Sequence, residues 1–243
     1  MESYTLSKST YIRGLQCLKS LYLNKHRPYL RDKLSEEQLA KFARGHAVGK
    51  VAWQLFPDGK EMPRPGIAAA EKTAQLVKEG FPVIYEACFI HNGVIVALDI
   101  LVKQPEGWNA YEVKSSGTLS DVFFQDAYLQ YYVIRGAGLP VNRFFLVHRN
   151  PEVAMDSYEN VNEFFLFKEL DEPDAMREEE TGRKIMEMKE VLQRTKSPDI
   201  SPGNHCMLPY PCDFRGVCWK HLSEETRNSL LNLNPTIATN ADD

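Results

Sequence analysis

An aspartate inside an otherwise apolar run is the first residue of this chain that asks for a chemical reason. Asp99 lies within VIVALDILV, and after twelve intervening residues comes Glu112-Val113-Lys114. An ionised carboxylate is costly to bury without a cation or a metal beside it. Glu112 and Lys114 are two apart, so on a strand they share one face. The intervening QPEGW reads as a turn, and the hairpin it makes brings Asp99 beside that pair across the ladder. Glu86, within VIYEACFI on the preceding run, adds a third carboxylate to the same sheet. Convergent carboxylates suit a hard divalent cation, Mg2+ or Mn2+. Lys114 is then placed to orient a water or to neutralise charge on a phosphoryl group, and metal-assisted phosphodiester hydrolysis needs those parts. The plainer alternative is a cross-strand carboxylate–lysine pair with no catalysis. Three carboxylates on adjacent core strands exceed what such pairing requires.

The cysteines form the second cluster. Cys206, Cys212 and Cys218 are spaced C-x5-C-x5-C in the loop-rich segment SPGNHCMLPYPCDFRGVCWKH, while Cys17 stands alone near the start. Their crowding points to metal ligation, and the odd total of five argues against a disulfide framework. Cys88, in an apolar run, reads as a small buried hydrophobe.

The elements that must position these residues follow from periodicity. Residues 5–25 carry Tyr11, Leu15, Leu18 and Tyr22 at helical spacing until Pro28, and a second helix starts after Ser35 with Glu37 and Gln38 in capping-box fashion. It is expected to run to Pro57, and a third ends at Gly80. PVIYEACFI, GVIVALDILV and NAYEVKSS read as three successive strands. A helix closed by Gly136 or Gly138 comes next, then strands over RFFLVHR and VNEFFLFKEL. From about Pro173 to Lys196 a helix is expected with acidic residues early and basic residues late. Residues after Leu222 are expected to form a flexible tail. The fold class is α+β, with helices before the sheet and a cysteine-rich closure after it.

A chain of 243 residues with 43% hydrophobic and 26% charged residues buries enough surface to fold without staples, which excludes collagen-like and wholly disordered classes. No apolar run approaches the ~18–20 residues of a membrane span, and the opening lacks an apolar signal core, so a cytoplasmic location with no membrane partner is expected. The net charge of −4 excludes a general basic field, so nucleic-acid binding must rest on a local patch or on metal ions. The basic strip of Lys8, Arg13, Lys19, Lys25 and Arg27 reads as a solvated face or, in a nuclease, as a contact for phosphates.

Asp99, Glu112, Val113 and Lys114 on a meander followed by a helix resemble the PD-(D/E)XK nucleases. The cysteine layout is similar to their RecB-like branch with an iron–sulfur cluster, which includes the AddB nuclease domain and the CRISPR-associated RecB-like exonucleases. The segments LSKSTYIRGLQCLKSLYLNKHRP, RGHAVGKVAWQLFPDG and DAYLQYYVIRGAG extend the likeness from about Leu6 to about Leu222. The resemblance implies a restriction-endonuclease-like core, a mixed sheet flanked by helices, within one nuclease domain over residues 1–222. In that domain, residues 1–30 and 200–222 together would hold the cluster.

It further implies that Asp99 and Glu112 ligate the divalent metal with the carbonyl of Val113, that Lys114 positions the attacking water, and that Glu86 matches an additional carboxylate. Gln130 and Tyr131 match a Gln/Tyr motif near the substrate, with Gln125 and Tyr128 competing for the register. The branch places a metal-binding histidine where Gly49 stands here, and His46, three residues earlier on the same helical face, is the candidate to replace it. Cys17, Cys206, Cys212 and Cys218 would hold a [4Fe–4S] cluster, although the branch usually ends C-x2-C-x5-C. Zn2+ is the alternative, with His205 and His221 as substitutes for a thiolate. The implied activity is a DNA nuclease, a single-strand exonuclease acting at free ends, with a helicase or another separate repair or defence protein as partner. The rival readings are a nuclease-fold nucleic-acid-binding module without chemistry and a zinc-stabilised accessory subunit.

Overall fold

The Val-, Ile- and Tyr-rich runs become the centre of a mixed sheet. In this computed structural model, which describes residues 5–154 and 160–232, the strands are β1 (Leu6–Ser7), β2 (Lys60–Glu61), β3 (Val83–His91), β4 (Val94–Gln104), β5 (Gly107–Lys114), β6 (Val141–Arg149) and β7 (Phe165–Glu169). They lie in the order β2-β3-β4-β5-β6-β7, with β1 beside β4. The β3–β4, β4–β5 and β6–β7 pairs are antiparallel, and the β1–β4, β2–β3 and β5–β6 pairs are parallel.

The helices are α1 (Lys8–Gln16), α2 (Leu18–His26), α3 (Glu36–Ala52), α4 (Ile67–Glu79), α5 (Asp121–Gly136), α6 (Val161–Phe164), α7 (Ala175–Gln193), α8 (Arg215–Cys218) and α9 (Glu224–Leu231). Parallel neighbours need a crossover, and α5 supplies it between β5 and β6 while packing on β3, β4 and β6. The chain is thus α+β, with helices against a seven-stranded sheet.

By internal contacts the chain divides into two units. One takes the chain up to Lys8 and again over Leu39–Gly182, and it holds the whole sheet. The other takes Ser9–Gln38 and resumes at Arg183, so the cysteine-bearing segments expected at the two ends fall together in it from Ser9 onward.

Several expectations are met residue by residue. Ser35 Oγ accepts from Gln38 N at 3.1 Å and Gln38 Oε1 accepts from Ser35 N at 2.9 Å, a complete capping box that starts α3. Gly80 closes α4 with φ +70°, a conformation glycine adopts without strain. Among the described residues no helix is long and apolar enough to cross a membrane.

Other expectations are corrected. The first helix is two, because Cys17 takes an extended conformation (φ −163°, ψ 116°) between α1 and α2. The expected strand over 161–170 begins with a helical turn, since Asn160 Oδ1 accepts from Asn162 N at 2.9 Å and caps it; the strand starts only at Phe165. The basic residues expected to close the helix after Pro173 do not do so. α7 stops at Gln193, and Arg194 and Lys196 fall beyond its last turn. The expected tail after Leu222 contains α9, whose Ser223 Oγ accepts from Thr226 N at 3.2 Å; the rest of the expected tail, from residue 233, lies outside the described residues.

Candidate active site and cysteine pocket

Register sets the carboxylates in a row. β3 pairs with β4 through Tyr85↔Ile100 and Ala87↔Leu98, so Glu86 stands opposite Asp99. β4 pairs with β5 through Ile100↔Tyr111, and one step further Asp99 faces Glu112. Asp99 Oδ2 accepts from Val113 N at 2.6 Å, a side-chain bond in place of a ladder bond. The three carboxylates singled out in the sequence therefore cross three adjacent strands at one level.

Glu86 carries a second peculiarity, φ +55° in the middle of a strand. A non-glycine residue held there costs of order 1–3 kcal/mol, and such strain gathers at functional sites. Burial pushes its carboxyl up, and among the described residues it has no hydrogen-bond or ion-pair partner. Replacing Glu86 with glycine is expected to raise stability by about 1 kcal/mol, because it releases the strain and the half-buried carboxyl together. A urea unfolding curve with a lower midpoint would show instead that the side chain anchors the strand.

Two residues that the sequence does not place there complete the site: Asp126, and Lys8, which it assigns to the basic strip. Asp126, on α5 and 5% exposed, faces β5, where Lys114 Nζ forms a short ion pair with its Oδ2 and lies 2.8 Å from Glu112 Oε1. Lys8 enters from the end of β1, with Nζ 2.6 Å from Glu112 Oε1 and 3.8 Å from Asp126 Oδ2. The parallel pairing Ser7↔Ile95 delivers it along the edge of β4 toward Asp99.

Burial weighs on every charge here, and the partners decide which wins. For Glu112, 1% exposed, burial alone would raise the carboxyl, but Lys114 and Lys8 hold it well below the usual range. Asp99 is raised by burial and by Glu112. Asp126 is raised by burial in spite of both lysines. Burial would lower Lys8, yet Asp126, Glu112 and Asp99 keep it firmly protonated. Lys114 is likewise held up against burial by Glu112 and Asp126.

The site is left with unused acceptors. Glu112 Oε2 and Asp126 Oδ1 are buried with no hydrogen-bond partner. Buried acceptors of this kind are costly and call for a donor or a cation. As the side chains stand, no three His, Cys, Asp or Glu residues among the described ones converge tightly enough to hold a metal ion. Lys8 and Lys114 make ion pairs with Glu112 and Asp126.

The other candidates are placed less centrally. His46 is exposed on α3, whose buried side is set by Val48 and Ala52. The helical angle explains this, since position 46 lies on roughly the opposite side from 48 and 52. Gly49 is partly buried, and a Cβ there would meet nothing within 4 Å, so the position the resemblance gives to histidine is open. Gln130 is fully buried one turn after Asp126, with both amide atoms unpartnered, and Tyr131 packs at 6.0 Å from Phe144 in the core. Neither offers surface to a ligand. Gln125 is exposed, and Tyr128 lies under Arg177 at 4.1 Å. The basic strip is largely engaged within the protein: Lys8 to Glu112 at 2.6 Å, Arg13 to Asp213 at 2.8 Å, and Lys19 to the carbonyl of Ile200 at 3.1 Å.

In the second unit, Cys17, Cys206, Cys212 and Cys218 line one cavity. Long-range bonds draw the late loop around Cys17. Gln16 Nε2 donates to the carbonyls of His205 and Tyr210 at 2.7 and 2.6 Å, and Asp213 takes both Arg13 and Arg31. Phe214, fully buried, packs with Tyr22, Leu23 and Val191 beneath it. All five thiols are free, and Cys88 sits apart against Ala69, Ala70 and Ile95.

Burial pushes the Cys17 and Cys218 thiols up, and the neighbouring sulfurs add to it. These thiols are therefore neutral near pH 7, and a metal must displace their protons. Affinity of the metal-free protein for Co2+, read from its thiolate absorption, is expected to rise with pH from about 7 through about 9 without levelling, by up to about tenfold per unit for each proton displaced. A flat profile would mean that the thiols do not bind it.

No protein-family model matches the chain, and no curated protein matches it. A solved structure described only as SSO0001 aligns over 92% of this chain and 89% of its own, at 13% identity and a TM-score of 0.47. A likeness so distant transfers neither fold nor function.

Proposed function

We propose that the protein is a metal-dependent nuclease of the PD-(D/E)XK kind with a restriction-endonuclease-like core, hydrolysing phosphodiester bonds in DNA. The observation that carries this reading is the convergence of Asp99, Glu112 and Lys114 from two neighbouring strands, with two buried carboxylate oxygens in their cluster left without partners. Asp99 and Glu112 would hold Mg2+ or Mn2+, with the carbonyl of Val113 beside them. When bound, the cation would polarise the phosphoryl group and lower the pKa of a water.

The chain's own residues do the rest. Lys114, fixed between Glu112 and Asp126, presents its ammonium where charge develops on the phosphoryl oxygens. Asp126 keeps that ammonium in place through its own ion pair. Lys8 shares Glu112 Oε1 with Lys114 and so competes with an incoming cation. Replacing Lys8 with methionine is accordingly expected to tighten Mn2+ binding by about tenfold, corresponding to ~1.4 kcal/mol. Unchanged or weaker binding by calorimetry would assign Lys8 a purely structural place.

For the four thiols that border one cavity, the likeness of the cysteine layout favours a [4Fe–4S] cluster, with Zn2+ as the alternative.

The test is Mn2+-dependent degradation of end-labelled single- and double-stranded DNA by anaerobically purified protein, beside Glu112→Gln. Cleavage by the wild type alone supports the nuclease and shows whether single strands and free ends are preferred. An iron-replete, folded wild type that cleaves nothing overturns it. The second reading, a nucleic-acid-binding module without chemistry, has one observation in its favour: the two lysines already neutralise much of the carboxylate cluster.

A further inference from the structure

The second unit holds another cavity, of about 440 Å3, lined by Asp32, Arg215, Gly216, Trp219, Lys220 and Arg227. Three cations border it in a chain whose net charge is −4. Two other arginines of the unit, Arg13 and Arg31, both reach Asp213, at 2.8 and 2.6 Å. The cations of this cavity have no such carboxylate among the described residues. Arg215 donates to the Cys212 carbonyl at 3.2 Å and to Met207 Sδ at 3.3 Å, and Arg227 donates to the Lys220 carbonyl at 3.1 Å. Among the described residues none of the three cations has a carboxylate partner within ion-pair reach. Asp32, the acid in the lining, instead accepts from Gly216 N at 3.0 Å. Two N–H groups of the lining residues, Arg227 Nε and Trp219 Nε1, are buried with no acceptor.

Three cations outnumber the one carboxylate of the lining, like charges repel, and buried donors without acceptors are costly, so the arrangement favours an anion in it. We propose that this cavity holds the phosphate backbone of a nucleic-acid strand. Guanidinium groups match phosphate oxygens in a planar fork, and a lysine adds a point charge. Trp219 is only 8% exposed, so no ring is offered for a base to stack on and the contact is to backbone, independent of sequence. The inference deepens the nuclease reading by giving the substrate strand a holding site, yet it concerns binding and needs no hydrolysis.

The test uses the full-length, anaerobically purified protein without divalent metal. Anisotropy of a fluorescein-labelled single-stranded oligonucleotide is followed against salt for wild type, Arg227→Gln, Lys220→Gln and Arg227→Lys. Each glutamine variant is expected to weaken binding about three- to tenfold at low salt and to reduce the slope of log K against log[salt] by about one. Arg227→Lys is expected to recover part of the loss. Lys220 is exposed, so its variant keeps the test valid if Arg227→Gln folds poorly. Unchanged affinity and slope in a folded Lys220→Gln would overturn the proposal. So would variants that lose calorimetric binding of inorganic phosphate while binding the oligonucleotide normally, since the site would then serve a free anion. Mn2+-dependent cleavage is measured separately: cleavage with unaltered variants removes this site and keeps the nuclease, and strand binding without cleavage does the reverse.

Discussion

Lys114→Ala is expected to lower Mn2+-dependent DNA hydrolysis by roughly 10²–10³-fold, the usual cost of losing one preorganised donor at a developing oxyanion. The structure adds a second effect, on stability. Lys114 Nζ bridges Glu112, 2.8 Å away, and Asp126, and both carboxylates are buried. Removing one partner of a buried pair typically costs ~3–5 kcal/mol, and the 13% exposure of the Lys114 side chain places the expected loss nearer ~2–3 kcal/mol. Asp126 would be left with Lys8 at 3.8 Å. The variant should therefore be slow and less stable in the absence of metal. Initial rates on end-labelled DNA, taken beside urea unfolding in a chelator, separate the two effects. Full activity in Lys114→Ala would remove the lysine from the mechanism. Lost activity with unaltered stability would show that its ion pairs contribute little and that its part is chemical alone.

How much of this site is legible in the sequence depends on whether the signal is local. Asp99, Glu112 and Lys114 announce themselves because charges interrupt apolar runs and because strand alternation fixes their faces. The capping box at Ser35 and the turn glycine at Gly80 are equally local: α3 starts and α4 ends where expected, although α3 stops at Ala52 and a 3-10 turn covers Trp53–Leu55 short of Pro57. Lys8 has no such signal. Its place follows from a two-residue parallel strand whose register no short pattern specifies. Asp126 does have a signal, easily overlooked, since it lies one turn before Gln130 on the helix after the lysine-bearing strand. The cap of α9, Ser223 with Glu224 and Glu225 behind it, is outweighed in the sequence by the poor apolar content of the residues after it. His46 shares a face with Gly49 at three-residue spacing, and the remaining rotation leaves its side chain more exposed than that position.

The largest stability effect is expected from Cys212→Ser. Cys212 N donates to the Cys206 carbonyl at 2.9 Å, and its thiol lies 3.6 Å from Ser20 Oγ, so the residue sits where the late loop meets the start of α2. The loop around it has little regular structure of its own: one 3-10 turn over Asn204–Cys206 and the four-residue α8. Its apolar support is a small group around Phe214, with Cys212 and Cys218 themselves packed against it. A segment of that kind gains its order from the groups it closes on. A metal centre held by cysteines from both ends of the chain would bind only the folded form, and its binding free energy would then count as folding free energy. Cys212→Ser is expected to lose most of its iron and to unfold the second unit at a lower temperature, by about 10 °C or more, as for loss of several kcal/mol from a domain of this size. The sheet-bearing unit, whose buried strands share no ligand with that centre, should keep its own transition. Calorimetry with iron analysis on one preparation decides the matter. Two separated transitions with the iron gone support a structural cluster; full iron content and one unchanged transition would show that Cys212 is no ligand.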